Sequence, residues 1–245
     1  ANKESIICGW NLIIKKLKKY NTKFVPVDSE HFSIWNLVKN NKNEKIKKII
    51  ITASGGPFLK IDNLKLKKIK VKDAIKHPNW KMGKKISVDS STLMNKIFEV
   101  IEAYKIFNYD FNKYEIFIHP QSYVHAIVQF KNGLTKILIH DTDMKIPIAN
   151  TLNENNKNFS INSNNVDPKK LNKIEFFSVD KKRFPVINFL KLIPKKNSLY
   201  ETVLISANDT LVDLFLKNKI EYLDIYKNLN KIIKSKNFVK LKKKQ

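Results

Sequence analysis

The chain has 245 residues, 42% hydrophobic and 11% aromatic, which is enough apolar material for one large core or two smaller ones. The net charge of +25 comes from 47 basic residues that are all lysine except Arg183 and are scattered along the chain, so it does not define a nucleic-acid-binding surface. A single cysteine, Cys8, excludes an intrachain disulfide, and no apolar run approaches the ~20 residues of a membrane span.

The first quarter of the chain predicts alternating helices and strands. Residues 1–20 have hydrophobic residues at helical spacing, 23–27 predict a strand, and a helical pattern then continues to Lys39. Asp28, Ser29 and Glu30 follow that strand, and in an extended segment the two carboxylates project to the same side. A metal cation between them would relieve their repulsion, and a helix cap at Asp28 or Ser29 is an equally good interpretation.

A second polar loop follows the next predicted strand. Residues 45–53 predict a strand buried on both faces, and Ser54, Gly55 and Gly56 come directly after it. Small residues at this point allow a ligand to approach the backbone closely, although plain turns have the same composition. Further on, Trp80 and Met82 lie in the polar loop that begins at His77, which is typical either of a mobile lid or of hydrophobic anchors.

Residues 86–102 are expected to organise the site. Ile86 and Val88 predict a short strand, Asp89 to Thr92 a helix cap, and the following apolar positions a helix with one buried face. Hydroxyl, amide and lysine groups within the first two turns predict an anion or phosphate site, with Glu99 on the same helical surface. An ordinary capped helix with a solvated pair is the alternative.

The remainder of the chain predicts a strand at 115–118, a hairpin of 124–130 and 134–140 through Asn132 and Gly133, and helices at 184–192, 199–216 and 220–238. These elements predict an α/β (α+β) catalytic domain with a mixed sheet, followed by a small C-terminal helical bundle. The predicted boundaries are 1–152 for the metal and substrate domain, 153–180 for an asparagine-rich linker and 181–245 for the helical domain.

Three polar loops thus follow three apparent strands, and strand carboxyl ends gather at one edge of a parallel or mixed sheet. That geometry would bring carboxylates, serines, an amide and a lysine into one pocket. Hard oxygen ligands favour Mg²⁺ or Mn²⁺, and the remaining groups suit a phosphorylated polyol.

Six motifs also resemble a known family: ANKES at 1–5, PVDSEH at 26–31, SGGPF at 54–58, HPNWKMGKKISVDSSTLMNK at 77–96, IHPQS at 118–122 and DMKIPIA at 143–149. Together they are similar to the 1-deoxy-D-xylulose 5-phosphate reductoisomerases, NADPH-dependent oxidoreductases of the methylerythritol phosphate route to isoprenoids. The similarity runs in order over about residues 1–152, with a weaker match at 183–185 and 206–209.

The resemblance implies roles for individual residues. It implies that Asp28, Glu30 and Glu99 hold a divalent metal, and that Lys3, Asp28, Glu30, His77 and Glu99 are catalytic. Substrate contacts would come from nine residues: Lys3, Ser29, Glu30, Ser54, His77, Ser90, Asn95, Lys96 and Glu99. Trp80 and Met82 would form the lid, while Asn2, Glu4 and Gly83 would touch NADPH. His119 matches a family histidine near the site, without a chemical step that can be derived for it.

The family implies further expectations for the whole protein. A dinucleotide site needs a glycine-rich strand–turn–helix, and the five glycines here form no G-x-G-x-x-G, so NADPH is expected to bind mainly to a domain upstream of this segment. The isolated chain is therefore expected to be inactive as a reductase. A homodimer is expected, with no specific nucleic acid and no membrane, in the bacterial cytoplasm or in a plastid.

Two other function classes remain. A basic nucleic-acid-binding protein would show steep salt dependence and no need for Asp28, Glu30 or Glu99. A degenerate fragment would fold without binding a ligand. Metal titration separates both from the enzyme.

Overall fold

A computed structural model describes residues 2–39, 45–80, 82–156, 158–162 and 167–244. Its strands are β1 (Ile46–Ala53), β2 (Tyr114–Ile118), β3 (Val124–Phe130), β4 (Thr135–Ile139) and β5 (Phe177–Ser178). Its α-helices are α1 (Lys3–Lys19), α2 (Ser29–Lys39), α3 (Val71–Ala74), α4 (Lys84–Ser91), α5 (Met94–Phe107), α6 (Lys145–Leu152), α7 (Pro168–Leu171), α8 (Leu199–Leu216), α9 (Tyr222–Lys234) and α10 (Lys236–Val239). Four 3₁₀ segments join them: Asn63–Lys68, Phe111–Lys113, Pro185–Leu192 and Lys240–Lys243.

The chain divides into two compact units that are interleaved along the sequence. Unit 1 comprises Ala1–Thr22, Gly55–Phe111 and Asp180–Gln245, and unit 2 comprises Lys23–Ser54 and Asn112–Val179. The expected domain boundaries at 152 and 180 stay predictions beside this division.

Unit 2 is built on a five-stranded mixed sheet in the order β4-β3-β1-β2-β5. β1 pairs with β2 in parallel and with β3 in antiparallel fashion, and β3 pairs with β4 through the predicted hairpin. Ile49 and Ile51 of β1 are fully buried because α2 packs on this part of the sheet. The expected mixed sheet is therefore confirmed, and β1 has the buried central position that its continuous apolar run indicates.

Unit 1 is helical. α5 packs against α1 and α4, and α8 packs against α1, α4 and α9. Ile97 and Ile101 on the predicted apolar face of α5 are fully buried, as the helical spacing indicates. Between α5 and α8, the Nζ atom of Lys105 lies 3.0 Å from Oε1 of Glu201, and both side chains are almost completely buried. The expected helical C-terminal part is thus confirmed, although residues 185–192 form 3₁₀ turns.

Two of the predicted strands are wrong. Residues 23–27 have no assigned strand, and Pro26 could not donate a hydrogen bond to a sheet ladder. Residues 86–88 lie inside helix α4, where the Ser87 hydroxyl donates to the Gly83 carbonyl at 3.0 Å. The predicted linker begins with turns at 153–155, and residue 157 and residues 163–166 lie outside the described residues.

Among the described residues, the helices are all too short or too polar to cross a lipid bilayer.

Candidate functional site

The junction between α4 and α5 in unit 1 carries the predicted phosphate residues. α4 ends at Ser91, and Leu93 then adopts a left-handed conformation with φ of 66° before α5 begins at Met94. Asp89 to Ser91 therefore end one helix and do not cap the next, which corrects the sequence interpretation. Ser90 is half-buried at this turn, and Asn95 and Lys96 lie in the first turn of α5.

Glu99 is the centre of a charged cluster in unit 1. Its carboxylate is 1% exposed; Nζ of Lys96 lies 2.7 Å from Oε2, and Nζ of Lys3 lies 3.3 Å from Oε1. The amide of Asn95 also donates to Oε1 of Glu99. The structure thus places three predicted site residues around the buried carboxylate of a fourth, using the i, i+3 and i, i+4 spacing of α5 and the start of α1.

The Gly55–Gly56 loop lies against the end of α4. Both glycines have positive φ, at 82° and 67°. A Cβ atom on Gly56 would lie 2.8 Å from the Cα atom of Ser91 and 3.0 Å from the Ser90 carbonyl oxygen. Only glycine allows this approach, so the backbone of Ser90 and Ser91 lies close to Gly56, and the expected approach of a ligand to the loop stays a prediction.

His77 begins the predicted lid of unit 1. Its Nδ1 accepts hydrogen bonds from the backbone N–H groups of Asn79, at 3.2 Å, and Trp80, at 2.9 Å. Burial, with the charge of Lys96 as a second cause, lowers the pKa of His77 to about 4. The ring is therefore neutral at pH 7 with its proton on Nε2, which makes Nε2 a hydrogen-bond donor. Trp80 and Met82 are half-buried in the loop that follows.

The residues assigned to NADPH lie at two helix starts of unit 1. The Asn2 side chain caps α1 by accepting from the Ser5 N–H at 2.9 Å, and Gly83 occupies the cap position of α4. Glu4 lies in the first turn of α1, with Oε1 at 3.1 Å from Nζ of Lys85.

Sequence reasoning missed the network around Lys85. Besides Glu4, its Nζ atom lies 3.1 Å from Asp89 and 3.0 Å from Asp209, and Asn208 donates to Asp89 at 2.8 Å. Burial alone would lower the pKa of Lys85, but Asp89, Asp209 and Glu4 raise it above its ordinary value. The i, i+4 spacing of Lys85 and Asp89 was the local signal for this network. Its α8 partners lie more than 100 residues away along the chain, where the sequence offered only the weaker family match at 206–209.

Unit 2 holds the other predicted metal ligands at the start of α2. Ser29 Oγ donates to Glu30 Oε2 at 2.5 Å, and the Asp28 carbonyl accepts the Phe32 N–H at 2.7 Å. Oδ2 of Asp28 lies 3.8 Å from Nδ1 of His31. Asp28 and Glu30 are thus oriented by a helix start and not by an extended segment. Ser54 follows β1 directly, as predicted.

His119, also in unit 2, has a structural role. Its Nε2 accepts from the backbone N–H groups of Tyr123 and Val124 at 3.0 and 3.1 Å, so its proton lies on Nδ1, which donates to the Glu175 carbonyl at 2.9 Å. Burial lowers the pKa of His119 and keeps the ring neutral. These bonds join β2, β3 and the segment before β5.

Two family models match the chain, and both describe C-terminal domains of one enzyme class. The model of the 1-deoxy-D-xylulose 5-phosphate reductoisomerase C-terminal domain matches residues 24–107, and the model of the DXP reductoisomerase C-terminal domain matches residues 139–245. The chain belongs to the 1-deoxy-D-xylulose 5-phosphate reductoisomerase family.

Individual relatives agree with this assignment. The chain is 57% identical to a reductoisomerase of Pelagibacter ubique over 242 residues, which is 99% of this chain and 62% of the relative. It is 43% identical to that of Wolbachia pipientis over 230 residues, 92% of this chain and 58% of the relative. The chain thus spans about 60% of the length of these relatives.

Solved structures of the same class have a similar fold. A reductoisomerase from Zymomonas mobilis in complex with NADPH is 35% identical to this chain, with a TM-score of 0.85. The match covers 95% of this chain and 60% of the chain in that structure. A DOX-P reductoisomerase in complex with NADPH, fosmidomycin and magnesium is 32% identical with a TM-score of 0.88, covering 100% of this chain and 62% of its own.

Proposed function

We propose that this chain supplies the metal- and substrate-binding part of a 1-deoxy-D-xylulose 5-phosphate reductoisomerase. Such an enzyme converts 1-deoxy-D-xylulose 5-phosphate to 2-C-methyl-D-erythritol 4-phosphate by isomerisation and NADPH-dependent reduction, within isoprenoid biosynthesis. The observation that carries the proposal is 57% identity over 99% of the chain to a protein of that name. The polar cluster around the buried Glu99 supports it with suitable chemistry.

The metal would be held by Asp28, Glu30 and Glu99. All three offer carboxylate oxygens, which are the ligand atoms that Mg²⁺ and Mn²⁺ prefer. Glu99 is buried and supplies the carboxylate oxygens that such an ion needs, and a bound cation would replace the present contacts of this carboxylate with Lys3, Lys96 and Asn95. When bound, the ion supplies Lewis-acid polarisation of the keto sugar's oxygens.

The substrate's phosphate end would be bound by Ser54, Ser90, Asn95 and Lys96. The half-buried Ser90 hydroxyl in the last turn of α4, together with an amide and an ammonium from the first turn of α5, supplies donors for an oxyanion. Contacts remote from the reacting carbons position the sugar for the chemical step.

The reacting end of the sugar would be oriented by Lys3, Ser29 and His77. Neutral His77 would donate from Nε2 to a substrate oxygen, because its Nδ1 already accepts two backbone N–H groups. Trp80 and Met82 would cover the substrate and exclude water, which strengthens the surrounding polar contacts.

NADPH would supply the hydride, with Asn2, Glu4 and Gly83 contributing contacts from this chain. A reductoisomerase in complex with NADPH is among the similar solved structures, which supports this cofactor. A homodimer located in the cytoplasm is proposed on the same family resemblance, and analytical ultracentrifugation would test the dimer.

The test is a Mn²⁺ titration followed by electron paramagnetic resonance of free Mn²⁺. Glu99→Gln and Asp28→Asn are each expected to weaken Mn²⁺ binding by at least about tenfold, because each removes one anionic ligand. Glu115→Gln is the matched control, since Glu115 is an exposed carboxylate that pairs with Lys48 in unit 2. Unchanged Mn²⁺ affinity in both site variants would refute the assignment, and it would favour a basic binding protein or a chain without a ligand.

A further inference from the structure

Arg183 is the one arginine among 47 basic residues, and it makes a two-point contact in unit 1. Its Nη1 lies 2.6 Å from Oδ1 of Asn63, and its Nη2 donates to the carbonyl oxygen of Phe58. The guanidinium therefore holds both ends of the segment from Phe58 to Asn63. This segment continues directly from the Gly55–Gly56 loop.

The loop of residues 55–63, which includes the segment that Arg183 holds, is connected to the end of α4 directly through Gly56 and indirectly through Tyr222. Gly56 lies against the backbone of Ser90 and Ser91. The Phe58 ring lies edge-on to Tyr222, with 5.2 Å between centroids, and the Tyr222 hydroxyl donates to Oγ of Ser91 at 3.2 Å. Phe58, Tyr222 and Ser91 are 3%, 6% and 1% exposed, so these contacts form a packed support behind Ser90.

The contact requires arginine because two different nitrogen atoms reach two different acceptors. A planar guanidinium presents its donors in a fixed fork, whereas a lysine has one nitrogen and can hold either acceptor but not both in this geometry. Losing the contact to the Phe58 carbonyl would leave a buried acceptor without its donor and loosen the loop.

We propose that Arg183 is a positioning residue for the phosphate end of the substrate. By fixing the loop of residues 55–63 against α4, it sets the position of Ser90 and of the turn that leads to Asn95 and Lys96. Arg183 acts through these residues and does not bind the substrate. The inference rests on the proposed function of the same residues.

The test uses the 245-residue chain and inorganic phosphate as the probe. Two-dimensional NMR titration would follow the amide signals of Ser90, Asn95 and Lys96, which separates this site from weak binding to scattered lysines. Arg183→Lys keeps the charge and removes the fork, and Asn63→Ala removes one acceptor at an exposed position. Tyr200→Phe is the control for general destabilisation, because it removes a buried hydrogen bond to Ile233 far from this loop in sequence.

Arg183→Lys is expected to weaken phosphate binding by about fivefold to tenfold, the equivalent of one misplaced polar contact, and Asn63→Ala to weaken it less. Mn²⁺ affinity should stay within twofold of that of the unaltered chain in all three variants, and Tyr200→Phe should leave phosphate affinity unchanged. Addition of methylguanidinium to Arg183→Ala should restore part of the phosphate affinity, which a purely structural loss would not allow.

Phosphate affinity that is unchanged in Arg183→Lys and Asn63→Ala would overturn the inference. Equal loss of phosphate and Mn²⁺ binding, or a matching loss in Tyr200→Phe, would also overturn it, because either result means general destabilisation. If the unaltered chain binds Mn²⁺ through Glu99 but shows no phosphate response at Ser90, the inference fails while the metal assignment stands. Loss of carboxylate-dependent Mn²⁺ binding would instead refute the proposed function itself.

Discussion

The neighbouring glycines of the 55–56 loop allow a matched test of how closely that loop packs against α4. Gly55 and Gly56 both have positive φ, so replacing either by alanine imposes a similar backbone strain. The contacts of the added methyl group differ. At Gly55 it would meet the flexible end of the Leu59 side chain at 2.7 Å, and at Gly56 it would meet the Ser91 backbone at 2.8 Å.

The expected losses of unfolding free energy follow from the backbone strain and from the contact that the added methyl group makes. A left-handed conformation costs a non-glycine residue about 1–2 kcal/mol, and this applies to both variants. Leu59 can rotate away, so Gly55→Ala is expected to lower the free energy of unfolding by about 1–2 kcal/mol. The Ser91 backbone cannot move without shifting α4, so Gly56→Ala carries an additional overpacking cost of about 1–3 kcal/mol.

Urea unfolding followed by far-ultraviolet circular dichroism gives the two free energies, with equal m values as the check that the unfolding reaction is the same. Gly133→Ala is a second control, because Gly133 has φ of 92° and an added methyl group there would meet nothing within 4 Å. Gly56→Ala is expected to destabilise the chain more than either control, Gly55→Ala or Gly133→Ala. Equal free energies for Gly55→Ala and Gly56→Ala would refute the close approach of the loop to Ser91.

Three further predictions concern other parts of the chain. Lys105→Met should lower the free energy of unfolding by about 3–5 kcal/mol, because it leaves the buried Glu201 carboxylate without its cation. An Asn197→Ala variant removes the second partner of Lys105 and a hydrogen bond to Asn11 but leaves no buried charge unpaired, so it should cost much less in the same urea assay. The free energy of unfolding should fall as the pH drops from about 6.5 to 4, because the unfolded chain protonates His77 near its ordinary pKa while the folded chain resists protonation. His77→Gln should make that slope shallower, and an unchanged slope would contradict the lowered pKa. Gly9→Ala should stabilise the chain by about 0.4–1 kcal/mol, since Gly9 has φ of −120° with no atom within 4 Å of a new Cβ, and a lowered melting temperature would contradict this.

Hydrophobic periodicity was sufficient to predict the long helices and strands, because the buried face of each of these elements is also its apolar face in the sequence. The apolar positions of α5 face the core, and the hairpin of β3 and β4 turns where Asn132 and Gly133 predict it. The strand predicted at residues 86–88 is wrong because these residues belong to helix α4, which is buried on more than one side. Ser87 and Asp89 look like solvent-facing positions of a strand, yet they are 1% exposed and hydrogen-bonded inside unit 1.

The candidate site was predictable only where its geometry is local. The contacts of Asn95 and Lys96 with Glu99 follow from spacing along one helix. The argument from strand ends was wrong for two of its three loops, because Asp28 precedes a helix and Ser90 ends one. The left-handed turn at Leu93 and the Asn208 contact to Asp89 depend on tertiary packing, which single-sequence patterns do not contain.

The interleaving of the two units constrains how the chain is made. Unit 2 ends at Val179, so all of its strands have been synthesised while the last segment of unit 1 is still missing. Helix α1 acquires its α8 neighbour, and Asn11 its hydrogen bond to Asn197 at 2.6 Å, only after most of the chain has been translated. Helix α1 therefore reaches its final packing only after α8 has been made, and a ribosome that stops after residue 179 releases the Glu99 cluster without the helices that complete its core.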